Sequence, residues 1–188
     1  MIWLSSDWHI GHDKEFCYSH RGFSSPEEMD TAILTRTNEV VAPDDELWIL
    51  GDLAMSGRRD EWDRVFYNLN CQNIHFIQGN HDTDSKMDIY ENEYGFTYHG
   101  YVDILKYTKT KRFYLSHYPT IVSNYGEEKR FFWNLSGHTH SDLKFYTHMP
   151  MAKIYNVAVD AHNCYPVSIE QIVKDIEERE RKRKEFVF

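Results

Sequence analysis

Short apolar runs alternate with helical patterns in the first half of the chain. Three of these runs have the length and the β-branched and aromatic content that are typical of strands. They are Met1–Ser6, Glu46–Leu50 and Asn73–Ile77. Between them, start signals predict a helix over about Pro26–Val41, and apolar residues at helical spacing predict another over residues 59–69. The resulting β-α-β-α-β order favours a parallel sheet.

Two of the predicted helices have recognisable start signals. Ser25 is a suitable N-cap, Pro26 takes the first helical position, and Glu28 completes a capping box. Ser168 is the predicted N-cap of a closing helix. The apolar stripe of that helix consists of Ile169, Ile172, Val173 and Ile176. Its end, EERERKRKEF, is interpreted as a solvated helix end, with a basic binding tail as the alternative.

The second half of the chain is richer in strand patterns. A helix is predicted near Met87–Tyr94, and a hairpin turn over Thr108–Lys111. The predicted strands are Phe96–Tyr107, Arg112–His117, Phe131–Ser136 and Ile154–Val159. We therefore expect a second, mostly antiparallel sheet.

Composition narrows the class of protein. With 188 residues, of which 41% are hydrophobic and 27% charged, we expect one domain over residues 1–188. The chain contains no run of roughly 20 apolar residues that could span a bilayer, and its start lacks the pattern of a signal peptide. The odd number of cysteines, with no CxxC pair, argues against a disulfide framework and a thiolate zinc site. We expect a cytoplasmic protein without a membrane partner.

The charge balance bears on possible partners. Lys and Arg total 21 against 30 for Asp and Glu, which gives a net charge of −9. Broad nucleic-acid binding is therefore not expected, because it needs an excess of positive charge. Bound cations can nevertheless let an acidic protein act on a phosphorylated substrate. The 11 histidines make a metal site worth considering.

Clusters of metal-ligand residues follow the predicted strands. They are Asp7-Trp8-His9, Gly51-Asp52, Gly79-Asn80-His81-Asp82, Ser116-His117 and Gly137-His138-Thr139-His140. The carboxyl ends of strands are where open α/β sheets bind ligands. In extended chain, residues at i and i+2 also point the same way. Any one cluster is more often a polar turn, but five at strand ends indicate a metal centre.

This ordered set of motifs resembles the calcineurin-like metallophosphoesterase family, and its small bacterial and phage members in particular. The resemblance spans residues 7–140 and implies an α/β fold, with a two-sheet β-sandwich flanked by helices in four α/β/β/α layers. It further implies two divalent metal ions. Asp7, His9 and His140 would bind the first, Asn80, His117 and His138 would bind the second, and Asp52 would bridge them. In that family the histidine at the position of His81 is not a ligand and acts in the reaction.

The predicted donors indicate the kind of chemistry. Carboxylate, amide and imidazole ligands suit Mn²⁺, which we favour, or Fe or Zn²⁺. Two cations about 3.5–4 Å apart can hold both the nucleophile and the phosphoryl oxygens. We therefore expect direct attack by a metal-bound hydroxide, with His81 as the general acid. Asp82 either orients His81 or serves as a turn or helix cap.

Two residues are candidates for substrate binding. His12 follows the first motif at a position that resembles one in small family members. Arg21 precedes the capped helix and could hold a phosphate bidentately, with a surface arginine as the alternative. Asn156 and Asp160 are expected to hold the histidine loop or a turn. Structural or surface roles are expected for His75, His99 and His148.

The motifs lead to one main functional hypothesis. We expect a dinuclear metal-dependent phosphoesterase whose substrate is a phosphorylated small molecule or a nucleotide. Without a separate cap domain the site would be open, which favours a phosphodiester or nucleotide. The alternatives are a phosphomonoesterase on the same core and a non-catalytic protein-binding scaffold of the same fold. The oligomeric state stays open.

Overall fold

The computed structural model describes residues 1–55, 57–122, 132–146 and 152–185. The strands are β1 (Ile2–Ser5), β2 (Glu46–Leu50), β3 (Asn73–Ile77), β4 (Thr97–Tyr98), β5 (Val102–Lys106), β6 (Arg112–Ser116), β7 (Trp133–Ser136), β8 (Ile154–Asn156) and β9 (Val167–Ser168). The α-helices are α1 (Glu15–His20), α2 (Pro26–Val40), α3 (Arg59–Phe66), α4 (Asp84–Asn92) and α5 (Ile169–Glu185). A short 3-10 helix spans Val159–His162.

The first sheet has the strand order β4-β3-β2-β1-β9. Strands β1 to β4 are mutually parallel, and β9 runs antiparallel to β1 at the edge. The central strands are buried and strongly apolar, as is typical of parallel strands covered on both faces. The predicted parallel sheet is confirmed for the first half of the chain.

The second sheet has the strand order β5-β6-β7-β8. The prediction that its strands are mostly antiparallel was wrong. Only β5 and β6 are antiparallel, joined by the turn predicted at Thr108–Lys111. The pairs β6·β7 and β7·β8 are parallel. The connections at residues 117–132 and 137–153 are long enough for crossovers, which need about a dozen residues, so these strands need not form hairpins.

The apolar residues form two cores, one on each face of the first sheet. Helices α2, α3 and α4 cover one face with buried residues such as Ile33, Trp62 and Tyr90. Between the two sheets, Leu4 and Leu50 pack with Leu135 and with the apolar stripe of α5. Two mixed sheets flanked by helices confirm the expected α/β sandwich class. No helix in the described part of the chain is long and apolar enough to cross a membrane.

Local signals account for most element boundaries. Glu28 N donates to Ser25 Oγ at 3.2 Å and Gln171 N donates to Ser168 Oγ at 3.1 Å, so both predicted N-caps form. The long strand predicted over Phe96–Tyr107 is divided at Gly100, whose φ of 77° lets the chain leave the first sheet and enter the second. Helix α1 was not predicted, and its N-cap residue, Lys14, makes no side-chain capping bond.

Other boundaries differ by a few residues. The helix predicted over residues 59–69 ends at Phe66, and the one predicted near Met87–Tyr94 spans Asp84–Asn92. The last predicted strand ends at Asn156, before the 3-10 helix. Phe131, His148 and Phe186, the last residue of the predicted end of the closing helix, lie outside the described residues.

Candidate metal centre

The clusters predicted from the sequence meet where the two sheets adjoin. Asp7, Asp52 and Asn80 follow parallel strands β1, β2 and β3, while His117 and His138 follow β6 and β7. A parallel bridge between Ser6 and Ala158 links the end of the first sheet to the chain that leaves the second. Strand ends from both sheets therefore converge on one site, as expected for a sheet edge that binds ligands.

The first donor group consists of Asp7, His9 and His140. Its ligand atoms all lie within 4.8 Å of one another. The two Nε2 atoms of His9 and His140 are 3.2 Å apart, and each lies 3.9 Å from Asp7 Oδ1. Ligands about 2.1 Å from a tetrahedral cation lie about 3.4 Å apart, so this spacing fits a single metal ion.

The second donor group consists of Asn80, His117 and His138. Asn80 Oδ1 lies 3.0 Å from His117 Nε2 and 3.0 Å from His138 Nδ1, and the two imidazole nitrogens are 3.2 Å apart. These atoms face one another at the separations that ligands of one cation adopt. The second group is therefore as compact as the first.

Asp52 lies between the two donor groups. Its Oδ2 atom is 3.3 Å from His117 Nε2 and 3.8 Å from His9 Nε2. The Asp7 carboxylate also lies within 4.8 Å of ligand atoms of Asp52 and His117. One Asp52 oxygen is thus within reach of both groups.

The backbone at these residues is unusual. Of the seven non-glycine residues with positive φ in the described chain, five are predicted metal ligands. They are Asp7, His9, Asp52, His138 and His140, with φ between 48° and 73°. This conformation disfavours residues with a Cβ atom and persists where surrounding structure enforces it, often at functional sites. The strain aims side chains from successive loops at one point.

Glycine permits two of the closest approaches. A methyl group on Gly137 would lie 2.0 Å from Asp7 Oδ2, and one on Gly79 would lie 2.3 Å from Asp52 Oδ1. Both distances are far below van der Waals contact. Only glycine lets the loop backbone lie against these carboxylates.

The protonation states of His9 and Asp52 suit metal binding. Burial, helped by the charges of His140 and Arg21, lowers the pKa of His9 to about 2, so its imidazole is neutral. Burial opposes ionisation of Asp52, but hydrogen bonding to His117 lowers its pKa to about 2 on balance. Burial raises the pKa of the fully buried Asp7 carboxyl. A neighbouring cation would offset that cost, and the donor set therefore fits divalent metals.

Second partners hold the imidazole rings. His117 Nδ1 lies 2.9 Å from the Leu50 carbonyl oxygen, which leaves Nε2 directed at the donor group. His140 Nδ1 lies 3.3 Å from Asp160 Oδ2, and this contact raises the pKa of His140. Asn156 Nδ2 donates to the carbonyls of Ser141 and Leu143, directly after His140. Asn156 and Asp160 thus hold the histidine loop, as predicted.

Arg21 does not lie where the phosphate-binding hypothesis needs it. Its side chain is 2% exposed and forms two 3.0 Å hydrogen bonds to the Asp160 carboxylate. It also donates to the backbone carbonyls of Asp7 and Trp8. These contacts use the N–H donors of the guanidinium. Through the Asp7 backbone and Asp160, Arg21 therefore supports the first donor group. This placement corrects the expected contact with substrate.

His81 and Asp82 have separate places. The His81 side chain is 43% exposed, with Nε2 4.0 Å from Asp52 Oδ2, while its backbone N–H donates to Asp52 Oδ1. Asp82 is buried and accepts hydrogen bonds from the backbone N–H groups of Asp52, Leu53 and Gly79. Asp82 therefore braces the Asp52 loop, and these contacts do not orient the His81 ring.

A cavity of about 560 Å³ opens beside the first donor group. His81 and the predicted substrate residue His12 both line it. Three further residues that were not predicted line the same cavity: Phe16, His20 and Met55. No local sequence motif marks these three residues. Phe16 and His20 reach the cavity on helix α1, which has no capping signal.

Histidines far from the motifs have structural contacts. His75 Nδ1 lies 2.8 Å from His99 Nε2, and the His75 ring stacks on Trp48 at 4.5 Å. These contacts agree with the structural roles predicted for both.

Two mixed sheets with carboxylate, amide and imidazole donors at their strand ends define an α/β protein whose clustered donors could bind metal ions. A family model described as calcineurin-like phosphoesterase matches residues 1–180. The chain therefore belongs to the calcineurin-like phosphoesterase family, whose members are typically dinuclear metal-dependent enzymes acting on phosphoesters.

The chain is also similar to individual proteins from an archaeon, a phage and a bacterium. The chain is 34% identical to an uncharacterized protein of Methanocaldococcus jannaschii, covering 94% of this chain and 91% of the relative. It is 29% identical to the Gene 66 protein of Mycobacterium phage D29, covering 94% and 98%. A crystal structure of a protein of unknown function from Aquifex aeolicus has a TM-score of 0.71 at 22% identity, covering 93% and 98%. That last likeness supports the fold alone.

Proposed function

We propose that this chain is a dinuclear metal-dependent phosphoesterase that hydrolyses a phosphodiester or a nucleotide. The position of Asp52 carries the proposal, because one carboxylate oxygen lies 3.3 Å from His117 Nε2 and 3.8 Å from His9 Nε2. A carboxylate so placed can serve both donor groups at once. Family membership supports phosphoester hydrolysis as the reaction class.

Each donor group would hold one cation, with Asp52 shared. We favour Mn²⁺, with Fe or Zn²⁺ as alternatives, because hard oxygen donors and borderline imidazoles are combined here. When bound, such a pair supplies charge to phosphoryl oxygens and lowers the pKa of a coordinated water. Asp7, Asp52 and the neutral His9 fix the donor geometry before substrate arrives.

His81 is the proposed general acid. Its side chain is 43% exposed, lies beside the donor groups and lines the cavity, so Nε2 can reach a departing oxygen. The hydrogen bond from the His81 backbone N–H to Asp52 Oδ1 fixes the position from which the imidazole side chain extends. Protonation of the leaving oxygen by a positioned histidine accelerates such reactions by on the order of 10² to 10⁴.

A protein-binding scaffold of the same fold is the other functional class. A scaffold without turnover has no need to keep both donor groups and His81. Since every predicted ligand is brought together, the complete set favours an enzyme. A phosphomonoesterase on the same core remains an outcome of the substrate screen below.

Location and partners are part of the proposal. The three cysteines are free and buried, which fits a reducing compartment such as the cytoplasm. The net charge of −9 argues against broad nucleic-acid binding. The proposed partner is a phosphorylated small molecule or nucleotide.

The test is a substrate screen with reconstituted enzyme. Protein treated with EDTA and reloaded with Mn²⁺ is assayed on bis-p-nitrophenyl phosphate, p-nitrophenyl phosphate and cyclic nucleotides. We expect turnover that EDTA abolishes and Mn²⁺ restores, with diesters or nucleotides preferred. If the enzyme preferred the monoester, its substrate class would be a phosphomonoester and not a diester or nucleotide. Full activity in chelator, with no metal detected, would contradict the proposal.

A further inference from the structure

The cavity of about 560 Å³ adjoins the proposed reaction centre on the side of His81. Its volume lies within the roughly 300–1,000 Å³ of small-molecule sites. His9 and His140 form its inner wall, and His81 lines it as well. A group protonated by His81 as it leaves would therefore occupy this cavity, which makes it the place for the leaving alcohol.

The outer wall of the cavity carries an exposed aromatic side chain. Phe16 on α1 is 72% exposed, the highest value among the exposed large hydrophobic residues of the described chain. Its ring meets the His12 ring edge-on, with centroids 5.5 Å apart and an interplanar angle of 78°. His12 is buried and accepts a hydrogen bond from Lys14 N, so it supports the Phe16 ring from one side.

Such an exposed ring leaves apolar surface uncovered in the cavity that adjoins the proposed reaction centre. Covering it with a planar group removes apolar surface from water and adds the favourable geometry of stacked rings. His20 and Met55 also line the cavity and supply further aromatic and thioether surface. The wall thus suits a flat ring better than a sugar or an alkyl chain.

Each Lys or Arg of the cavity lining lies beside an acidic residue, and the third acidic residue of the lining, Asp160, pairs with the buried Arg21. Lys14 Nζ lies 3.2 Å from Asp13 Oδ1, and Arg58 Nη1 lies 3.1 Å from Glu61 Oε1. Each cation thus has an acidic neighbour that lines the same cavity. This balance favours an uncharged leaving alcohol over one that carries a second phosphate group.

We infer that the cavity binds a leaving alcohol with a planar aromatic ring, of which a nucleoside is the biological example, and that Phe16 determines this specificity. The inference rests on the proposed function and adds to it the leaving-group class. It predicts that the enzyme distinguishes substrates by the ring of the leaving group, even where the scissile bond is the same.

The test compares adenosine 5′-phosphate with ribose 5-phosphate, each as the free monoester and as its methyl ester. Release of free adenosine or free ribose is measured, so that loss of methanol from the methyl esters is not counted, and the two leaving alcohols are both primary and differ in the base. We expect wild type to prefer the adenosyl member in kcat/KM, and Phe16→Ala to reduce that preference on the order of tenfold. Phe16→Trp should retain it. Tyr101→Ala, at a residue 63% exposed outside this cavity, is the matched control and should match wild type.

Calorimetric titration of the Mn²⁺-loaded protein with adenosine gives a readout independent of turnover. We expect measurable binding by wild type and Tyr101→Ala and weaker binding by Phe16→Ala. Equal kcat/KM for both members of each pair, or a preference that survives Phe16→Ala, would overturn the inference while the proposed function stands. Absence of turnover on every ester, bis-p-nitrophenyl phosphate included, would overturn both.

Discussion

Replacing Asp30 should make the protein more stable at neutral pH. Asp30 lies on α2, is 4% exposed, and accepts a 3.0 Å hydrogen bond from Gly11 N, while its Oδ1 has no partner among the described residues. Burial raises the pKa of this carboxyl to about 7, against 3.8 for an ordinary aspartate. The folded state therefore favours the protonated acid.

The sign and size of the effect follow from this difference. Between pH 4 and 7 the folded chain holds a proton at Asp30 that the unfolded chain has released, so stability falls as pH rises through that window. A rise from 3.8 to about 7 corresponds to about 4 kcal/mol lost at pH 8. Asp30→Asn keeps the acceptor for Gly11 N and never ionises. We expect the variant to exceed wild type by up to about 4 kcal/mol at pH 8 and to equal it near pH 4.

Urea denaturation at pH 4, 6 and 8 in EDTA measures this difference without bound metal. Asp88→Asn, an exposed residue on α4, is the control and should stay within about 0.5 kcal/mol of wild type at each pH. If Asp30→Asn were less stable than wild type at pH 8, the carboxylate would be ionised and stabilising, and the reasoning from burial would be refuted.

Three further predictions concern the site. Gly137→Ala should abolish turnover and weaken metal binding, because the new methyl group would lie 2.0 Å from Asp7 Oδ2. The control Gly57→Ala, whose methyl group would have nothing within 4 Å, should change neither property. Elemental analysis measures metal binding, and the esterase assay measures turnover. His81→Asn should slow hydrolysis of alkyl esters by a factor on the order of 10² to 10⁴ and spare p-nitrophenyl esters. If kcat depended on leaving-group pKa with the same slope in wild type and variant, the role of His81 as general acid would be contradicted. Arg21→Met should cost about 3–5 kcal/mol of unfolding free energy by stranding a buried carboxylate, and an unchanged denaturation midpoint would contradict this.

The donor groups could be predicted because their signal is local. A strand that ends in a carboxylate or imidazole cluster places it at the sheet edge, whatever the rest of the chain does. The motifs around Asp7, Asp52 and Asn80 all follow strands of the parallel sheet, where this argument holds best. The start of α2 at Ser25 was likewise predictable, since capping involves neighbouring residues.

Features that depend on distant partners were not predictable. Arg21 pairs with Asp160, which is 139 positions away, and nothing near Arg21 distinguishes a buried brace from a phosphate contact. The cavity around Phe16 depends on how α1 packs, and α1 has no capping signal. The parallel pairing of β6, β7 and β8 depends on crossovers, while strand composition alone suits either direction.

If Asp52 joins two cation sites, the variant Asp52→Asn should lose both metals together, and its metal content shows whether it does. Wild type, Asp52→Asn and the control Asp88→Asn, an exposed carboxylate on α4 outside the cavity, are stripped with EDTA, reloaded with Mn²⁺ and dialysed. We expect two metals per chain and turnover in wild type and Asp88→Asn, and joint loss of both metals and of turnover in Asp52→Asn. Two tightly held metals with wild-type turnover in Asp52→Asn would contradict the account.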